Sequence, residues 1–189
     1  MCFIVQMKRL LPHLAVGMAV LLTAIAAALA PTGSAGAAES TPSRLLNLGT
    51  GQVLGWNGEV APPPGGALQL WVRVSHPDFG ALPGFTAPYQ LRNPITNLCL
   101  LDYGDGDQVV SAPCLVDVTA DSPQLWQHHR TPDRIAHEHP YGFLFNRLSG
   151  RVLTARPSSA GRPILVVTVP QADPHSDAAA FQLWTAIAP

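Results

Sequence analysis

The stretch Tyr89 to Trp126, YQLRNPITNLCLLDYGDGDQVVSAPCLVDVTADSPQLW, holds one complete structural unit of this chain. An apolar stretch around Leu91 runs to Asn93, Pro94-Ile95-Thr96-Asn97 is turn chemistry, and Leu98-Cys99-Leu100 resumes the apolar pattern. Gly104-Asp105-Gly106-Asp107 breaks it again, Val109-Val110 open a third apolar run, and Gln124-Leu125-Trp126 close the stretch after a polar loop. Four short strands joined by turns are the expectation.

The unit occurs three times. Asn47, Thr50, Gly51 and Leu54 share the spacing of Asn93, Thr96, Asn97 and Leu100, and of Asn146, Ser149, Gly150 and Leu153. Each copy supplies an Asn for a side-chain-to-backbone turn, a small hydroxyl, and a Gly or Asn able to take positive φ. The repeats span about 43–87, 88–140 and 141–187. With Gln-x-Trp at Gln124-Trp126 and Gln182-Trp184, and a cysteine pair in the central copy, the sequence resembles the ricin-type β-trefoil lectin family from Arg44 to Ile187. The resemblance implies an all-β chain folded as a β-trefoil of three pseudo-equivalent four-stranded repeats. Composition by itself indicates only short strands and many turns.

Residues 1–38 carry Lys8 and Arg9, an apolar run from Leu14 to Ala30, and a tail of small residues ending Ala35-Gly36-Ala37-Ala38. This is the layout of a secretory signal peptide, with an uncleaved anchor as the alternative, and Met7 is a second possible start. The expected product is a secreted single domain, residues 39–189. Loss of Lys8 and Arg9 takes Lys plus Arg from 11 to 9 against 12 Asp plus Glu, and leaves no lysine. That mildly acidic balance offers nothing to nucleic acid or to an anionic membrane surface.

Two cysteines remain, Cys99 and Cys114. In an exported chain, two cysteines flanking a hairpin are most simply a disulfide, and the resemblance agrees, since family repeats often bridge these positions. They lack the companions of a tetrahedral metal site. His128, His129, His137 and His139, with Asp133 and Glu138 near, make a loose match to a metal site, for which a solvated Pro-bounded loop is the plainer account. No metal and no cofactor are expected.

Repeat one is ambiguous. Gln69-Leu70-Trp71 has the form of a third Gln-x-Trp motif, but Gln69 follows Asn47 by only 22 residues, against 31 from Asn93 to Gln124 and 36 from Asn146 to Gln182. The preferred alignment therefore matches Leu68 with Val109 and Ile164, moves Trp71 to the third strand, and gives the central aromatic position to Phe85. Phe85, Trp126 and Trp184 then fill the shared core, and Gln124 and Gln182 satisfy buried backbone groups.

Sugar recognition calls for a carboxylate that accepts from vicinal hydroxyls, an amide, and an aromatic face for the ring. The resemblance places its Asp at Gly55, Leu101 and Thr154, so all three carboxylates are absent. Its amide and aromatic survive only in repeat one, as Gln69 and Trp71, with Trp71 open to either core packing or ligand stacking. Asn57 and Glu59 follow Gly55 and are candidates for the missing polar groups. Asp102, one residue late in repeat two, is a partial substitute, with a solvated turn as the alternative for it, Asp105 and Asp107. Any affinity is expected to be weak and confined to repeat one.

Catalysis has no foothold: the chain has no Gly-x-Ser-x-Gly elbow, no HExxH and no phosphate-cradling Gly loop. The expected function is a non-catalytic carbohydrate-binding module with degenerate sites, acting on glycans or cell-surface carbohydrate. The alternative is a trefoil that has lost sugar binding and engages a protein partner, as an interaction scaffold or a toxin receptor-binding subunit.

Overall fold

The computed structural model describes residues 38–136, 139–157 and 162–189, with the side chains of 132–136 and 139 left aside. Residues 1–37 of the expected signal peptide, together with His137 and Glu138, lie outside the described residues.

Twelve strands are present among the described residues: β1 Arg44–Asn47, β2 Val53–Leu54, β3 Glu59–Ala61, β4 Val72–Ser75, β5 Tyr89–Arg92, β6 Leu98–Leu101, β7 Val110–Pro113, β8 Trp126–Ala136, β9 His139–Asn146, β10 Val152–Arg156, β11 Ile164–Val169 and β12 Leu183–Ile187. They fall into three sets of four. The middle two strands of each set form a hairpin, as in the registers Leu54↔Val60, Leu100↔Ser111 and Leu153↔Thr168. The outer strands join the sets antiparallel, β4 to β5, β8 to β9, and β12 back to β1, so the chain closes on itself. Closure leaves the joining strands without a free edge between repeats.

The Asn of each repeat makes that closure. Its Oδ1 accepts from backbone N–H groups of its own turn, at Thr50, at Ile95 and Thr96, and at Leu148 and Ser149. Its Nδ2 donates to the preceding repeat: Asn47 to the carbonyls of Phe181 and Leu183, Asn93 to those of Leu68 and Leu70, and Asn146 to that of Pro123. Asn47 and Asn93 therefore grip both residues flanking a Gln, Gln182 and Gln69, and Asn146 grips the residue before Gln124. A buried Asn with both ends satisfied is stable in an apolar setting that an unpaired amide would not tolerate.

The core repeats with the same symmetry. Leu45, Leu91 and Leu144, then Leu54, Leu100 and Leu153, then Trp71, Trp126 and Trp184 are all buried in one cluster. Each indole N–H donates to the carbonyl of its own second-strand leucine: Trp71 to Leu54 at 3.1 Å, Trp126 to Leu100 at 3.1 Å and Trp184 to Leu153 at 2.8 Å. Trp71, 1% exposed, is therefore the third member of the core set. Phe85 is not. It is half-buried on the loop between β4 and β5, against the rings of His129 at 4.8 Å and Phe145 at 5.1 Å.

The preferred alignment of repeat one is thus corrected, and the registers give the reason. The step from second-strand leucine to its cross-strand partner is 6 residues in repeat one (Leu54 to Val60) and 11 in repeat two (Leu100 to Ser111). The return from the third strand to the Gln is shorter too, and together these deletions remove the missing spacing. Leu68 lies in a short 3-10 turn, Ala67–Gln69, and not in a third strand.

The same registers place Gly58, Val109 and Val166 at equivalent positions where the three hairpins meet. The Val109 N–H donates to Val166 O and the Val166 N–H to Gly58 O, both across repeats. A Cβ on Gly58 would sit 2.1 Å from the Val109 carbonyl oxygen, so only glycine fits the third place. In repeat two the expected disulfide forms between Cys99 and Cys114. It ties β6 to the end of β7 and, by the loop-entropy account, contributes about 3 kcal/mol.

Candidate functional site

The shortened hairpin of repeat one leaves an open cleft of about 380 Å³. One wall is Gly55, Trp56, Asn57 and Glu59; the other is Gly66 to Gln69. The first wall is a tight turn closed by Gly58 N–H to Gly55 O and Gly55 N–H to Glu59 O, with Gly58 at φ +72°. Positive φ is open to glycine at little cost.

Repeat two braces this turn from behind. The Gln108 side-chain amide donates to Asn57 O at 3.1 Å and Gly58 O at 3.3 Å, and the Ser111 hydroxyl donates to Trp56 O. With its carbonyls held, the turn presents its side chains outward. Trp56 is 37% exposed, Asn57 is exposed and Glu59 is half-buried. Asn57 Nδ2 donates to Glu59 Oε2 at 2.8 Å, which fixes a carboxylate beside an amide and next to an indole face. Leu68, on the facing wall, adds exposed apolar surface.

Of the residues expected to bind ligand, the structure brings Asn57, Glu59 and Gln69 to this cleft and removes two. Trp71 is a core residue with its indole N–H already used, so it offers no face for stacking. Asp102 is 1% exposed. Its Oδ1 accepts from Gly104 N–H at 2.9 Å and Thr168 Oγ1 at 2.8 Å, and its Oδ2 from Ser149 Oγ at 2.6 Å. It ties repeat two to repeat three, and its burial keeps it from a ligand hydroxyl. Neither is it the solvated turn residue of the other expectation.

Trp56 is the residue that sequence reasoning missed. Its signal is local: an indole inside Gly-Trp-Asn-Gly has no place in the core periodicity. The backbone bonds Trp56 N–H to Leu68 O, Asp102 N–H to Pro123 O and Ala155 N–H to Phe181 O make Trp56, Asp102 and Ala155 structural equivalents. Repeats two and three therefore hold a buried carboxylate and a methyl where repeat one has its ring.

Gln69 behaves unlike its counterparts. Gln124 donates to Pro113 O at 2.8 Å and accepts from Leu115 N–H at 2.8 Å; Gln182 donates to Pro170 O at 3.0 Å and accepts from Ala172 N–H at 2.7 Å. The equivalent of Leu115 and Ala172 in repeat one is Pro64, which has no N–H. Gln69 Oε1 is accordingly buried without a partner among the described residues, under Gly65.

Among the described residues lining the cleft, Glu59 is the one charged group. A second titratable cluster lies among the joining strands, where His128 packs with Leu45, Arg73, Tyr89, Leu144 and Trp184. Burial, then the Arg73 guanidinium, lower the His128 pKa to about 4. Burial raises that of Tyr89, with Arg73 opposing. No three His, Cys, Asp or Glu side chains among the described residues converge as metal ligands.

Solved structures that resemble this one share its threefold build. A designed threefold-symmetric protein, ThreeFoil, superposes with a TM-score of 0.56 at 20% identity, over 77% of this chain and 97% of that one. The fold is a β-trefoil. A ricin B-like lectin of Macrolepiota procera, solved in complex with lactose, matches at TM-score 0.54 and 17% identity, over 79% of this chain and 96% of its own. The cytolethal distending toxin of Haemophilus ducreyi matches at 0.54 and 15%, over 78% of this chain and 83% of its own. The sequence matches no protein-family profile and no curated protein. At these identities the likeness speaks for the trefoil alone.

Proposed function

We propose that this chain is an exported, non-catalytic glycan-binding domain whose single working site is the repeat-one cleft. The observation that carries the reading is the outward Trp56 ring beside the Asn57–Glu59 pair, on a turn whose carbonyls are held by Gln108 and Ser111. A sugar's C–H face stacks on the indole, its vicinal hydroxyls donate to the carboxylate and accept from the amide, and the braced turn requires little ordering on binding. A trefoil neighbour solved with lactose and another solved with an asialo-GM1 saccharide are consistent with this use of the fold.

The supporting experiment is glycan-array binding by residues 39–189, wild type beside Trp56→Ala. Retention of specific glycans by the wild type and their loss in Trp56→Ala is the expected result. Equal binding by both proteins places the site elsewhere. The competing reading is a trefoil that engages a protein, and it is favoured by the equivalents of Trp56 in the other repeats, which have no exposed ring. It predicts a blank array for both proteins.

A further inference from the structure

We infer that the repeat-one cleft selects by charge: it admits neutral and amine-bearing saccharides and rejects those that carry a carboxylate. This rests on the glycan-binding reading above and names the ligand class of the same cleft.

The inference follows from which polar atoms the cleft offers. Glu59 is the charged side chain of its lining, and it has no salt bridge among the described residues, where the ion pair present joins Arg92 to Glu39. Asn57 Nδ2 bonds one carboxylate oxygen, Oε2, leaving Oε1 with no partner among the described residues. The amide neutralises none of the charge. The Arg44 guanidinium does not line the cleft and is engaged by backbone: Nη2 donates to Gly65 O and Nη1 to Ala188 O, both at 3.3 Å. A bound saccharide therefore meets a carboxylate that has no ion pair among the described residues, and an electron-rich indole face. Hydroxyls donate to that carboxylate, and an ammonium gains in addition from the charge and from the ring quadrupole. An anionic substituent can still accept from the Asn57 amide, but it is repelled by the Glu59 carboxylate. Even with the full screening of bulk water, two like charges at contact separation cost about a fivefold loss of affinity, which sets the lower bound here, and salt reduces it.

The test is titration of residues 39–189 with two matched series, galactose, galactosamine and galacturonic acid, and glucose, glucosamine and glucuronic acid. Chemical-shift perturbation is followed at low and at high salt. In whichever series the wild type binds, the acid is expected to bind about fivefold or more weakly than the neutral sugar, and the amine at least as well as it. Glu59→Gln, which keeps the Asn57 bond, should bring all three within about twofold, and high salt should narrow the wild-type gap. An acid that binds the wild type as well as the neutral sugar overturns the inference, as does a gap that persists in Glu59→Gln. Failure of the underlying reading looks different: no sugar of either series shifts any resonance, or the shifts survive unchanged in Trp56→Ala.

Discussion

The Asn93 side-chain amide donates to the Leu70 carbonyl at 2.9 Å, the same bond that Asn47 makes to Leu183 on the far side of the closed ring. That relationship identifies Gln69-Leu70-Trp71 as the repeat-one counterpart of Gln182-Leu183-Trp184, and it makes Trp71 a core residue.

Stability should divide the aromatic residues accordingly. Trp71→Ala is expected to cost about 3–5 kcal/mol, comparable with Trp126→Ala, because each truncation opens a cavity at the shared centre and orphans a leucine carbonyl. Phe85→Ala, at a half-buried loop, should cost about 1–2 kcal/mol. Urea unfolding of the three variants decides the matter; a Phe85 variant as unstable as Trp126→Ala would restore the rejected alignment.

What the sequence revealed and what it hid follow from the same physics. The threefold Asn turns were legible because a turn is a local device whose residue types are fixed by its own backbone. The disulfide was legible because two cysteines in one hairpin leave little choice. Trp71 was misplaced because a spacing argument assumes equal loop lengths, and repeat one is shortened both in its hairpin and in its return. The cleft was half-legible: Asn57 and Glu59 stood out by chemistry, but Trp56 did not, since its outward direction depends on braces supplied by Gln108 and Ser111 from 50 or so residues away.

The three motif glutamines should respond unequally to Leu. Gln124→Leu strands the Leu115 N–H and the Pro113 carbonyl and removes one of the two acceptors of the Gln90 amide, and should cost about 2–4 kcal/mol. Gln69→Leu removes an oxygen that already lacks a partner, and is expected to cost less than about 1 kcal/mol. Equal losses in a thermal-melting comparison would mean that Gln69 has a partner in solution.

Mild acid should weaken the fold through His128. Its folded pKa is lowered to about 4, below the unfolded value of about 6.5, so between those values the unfolded chain binds a proton that the folded chain does not. Stability is therefore fully present above about pH 6.5 and falls as pH drops toward 4, by an order of 2–3 kcal/mol from this group. The wild type minus His128→Gln difference, measured by urea unfolding from pH 7 to 4.5, isolates the effect from the carboxylates. A difference that does not change with pH would show that His128 titrates normally.

Restoring the carboxylate that the lectin-like pattern places at Gly55 should not restore affinity. A Cβ at Gly55 would lie 3.0 Å from Asn57 Oδ1 and 3.3 Å from the Glu59 carbonyl oxygen, so a side chain there displaces the Asn57 amide from its bond to Glu59. It would also set a second negative charge against an uncompensated one, which favours protonation of one of the pair and repels the other. Gly55→Asp is expected to bind any glycan the wild type retains about three- to tenfold more weakly, a loss of roughly 1 kcal/mol. Thermal melting should fall by only a few degrees, because the turn is at the surface. Tighter binding by Gly55→Asp would mean that the site works through the position the resemblance assigns, with Asn57 and Glu59 as bystanders.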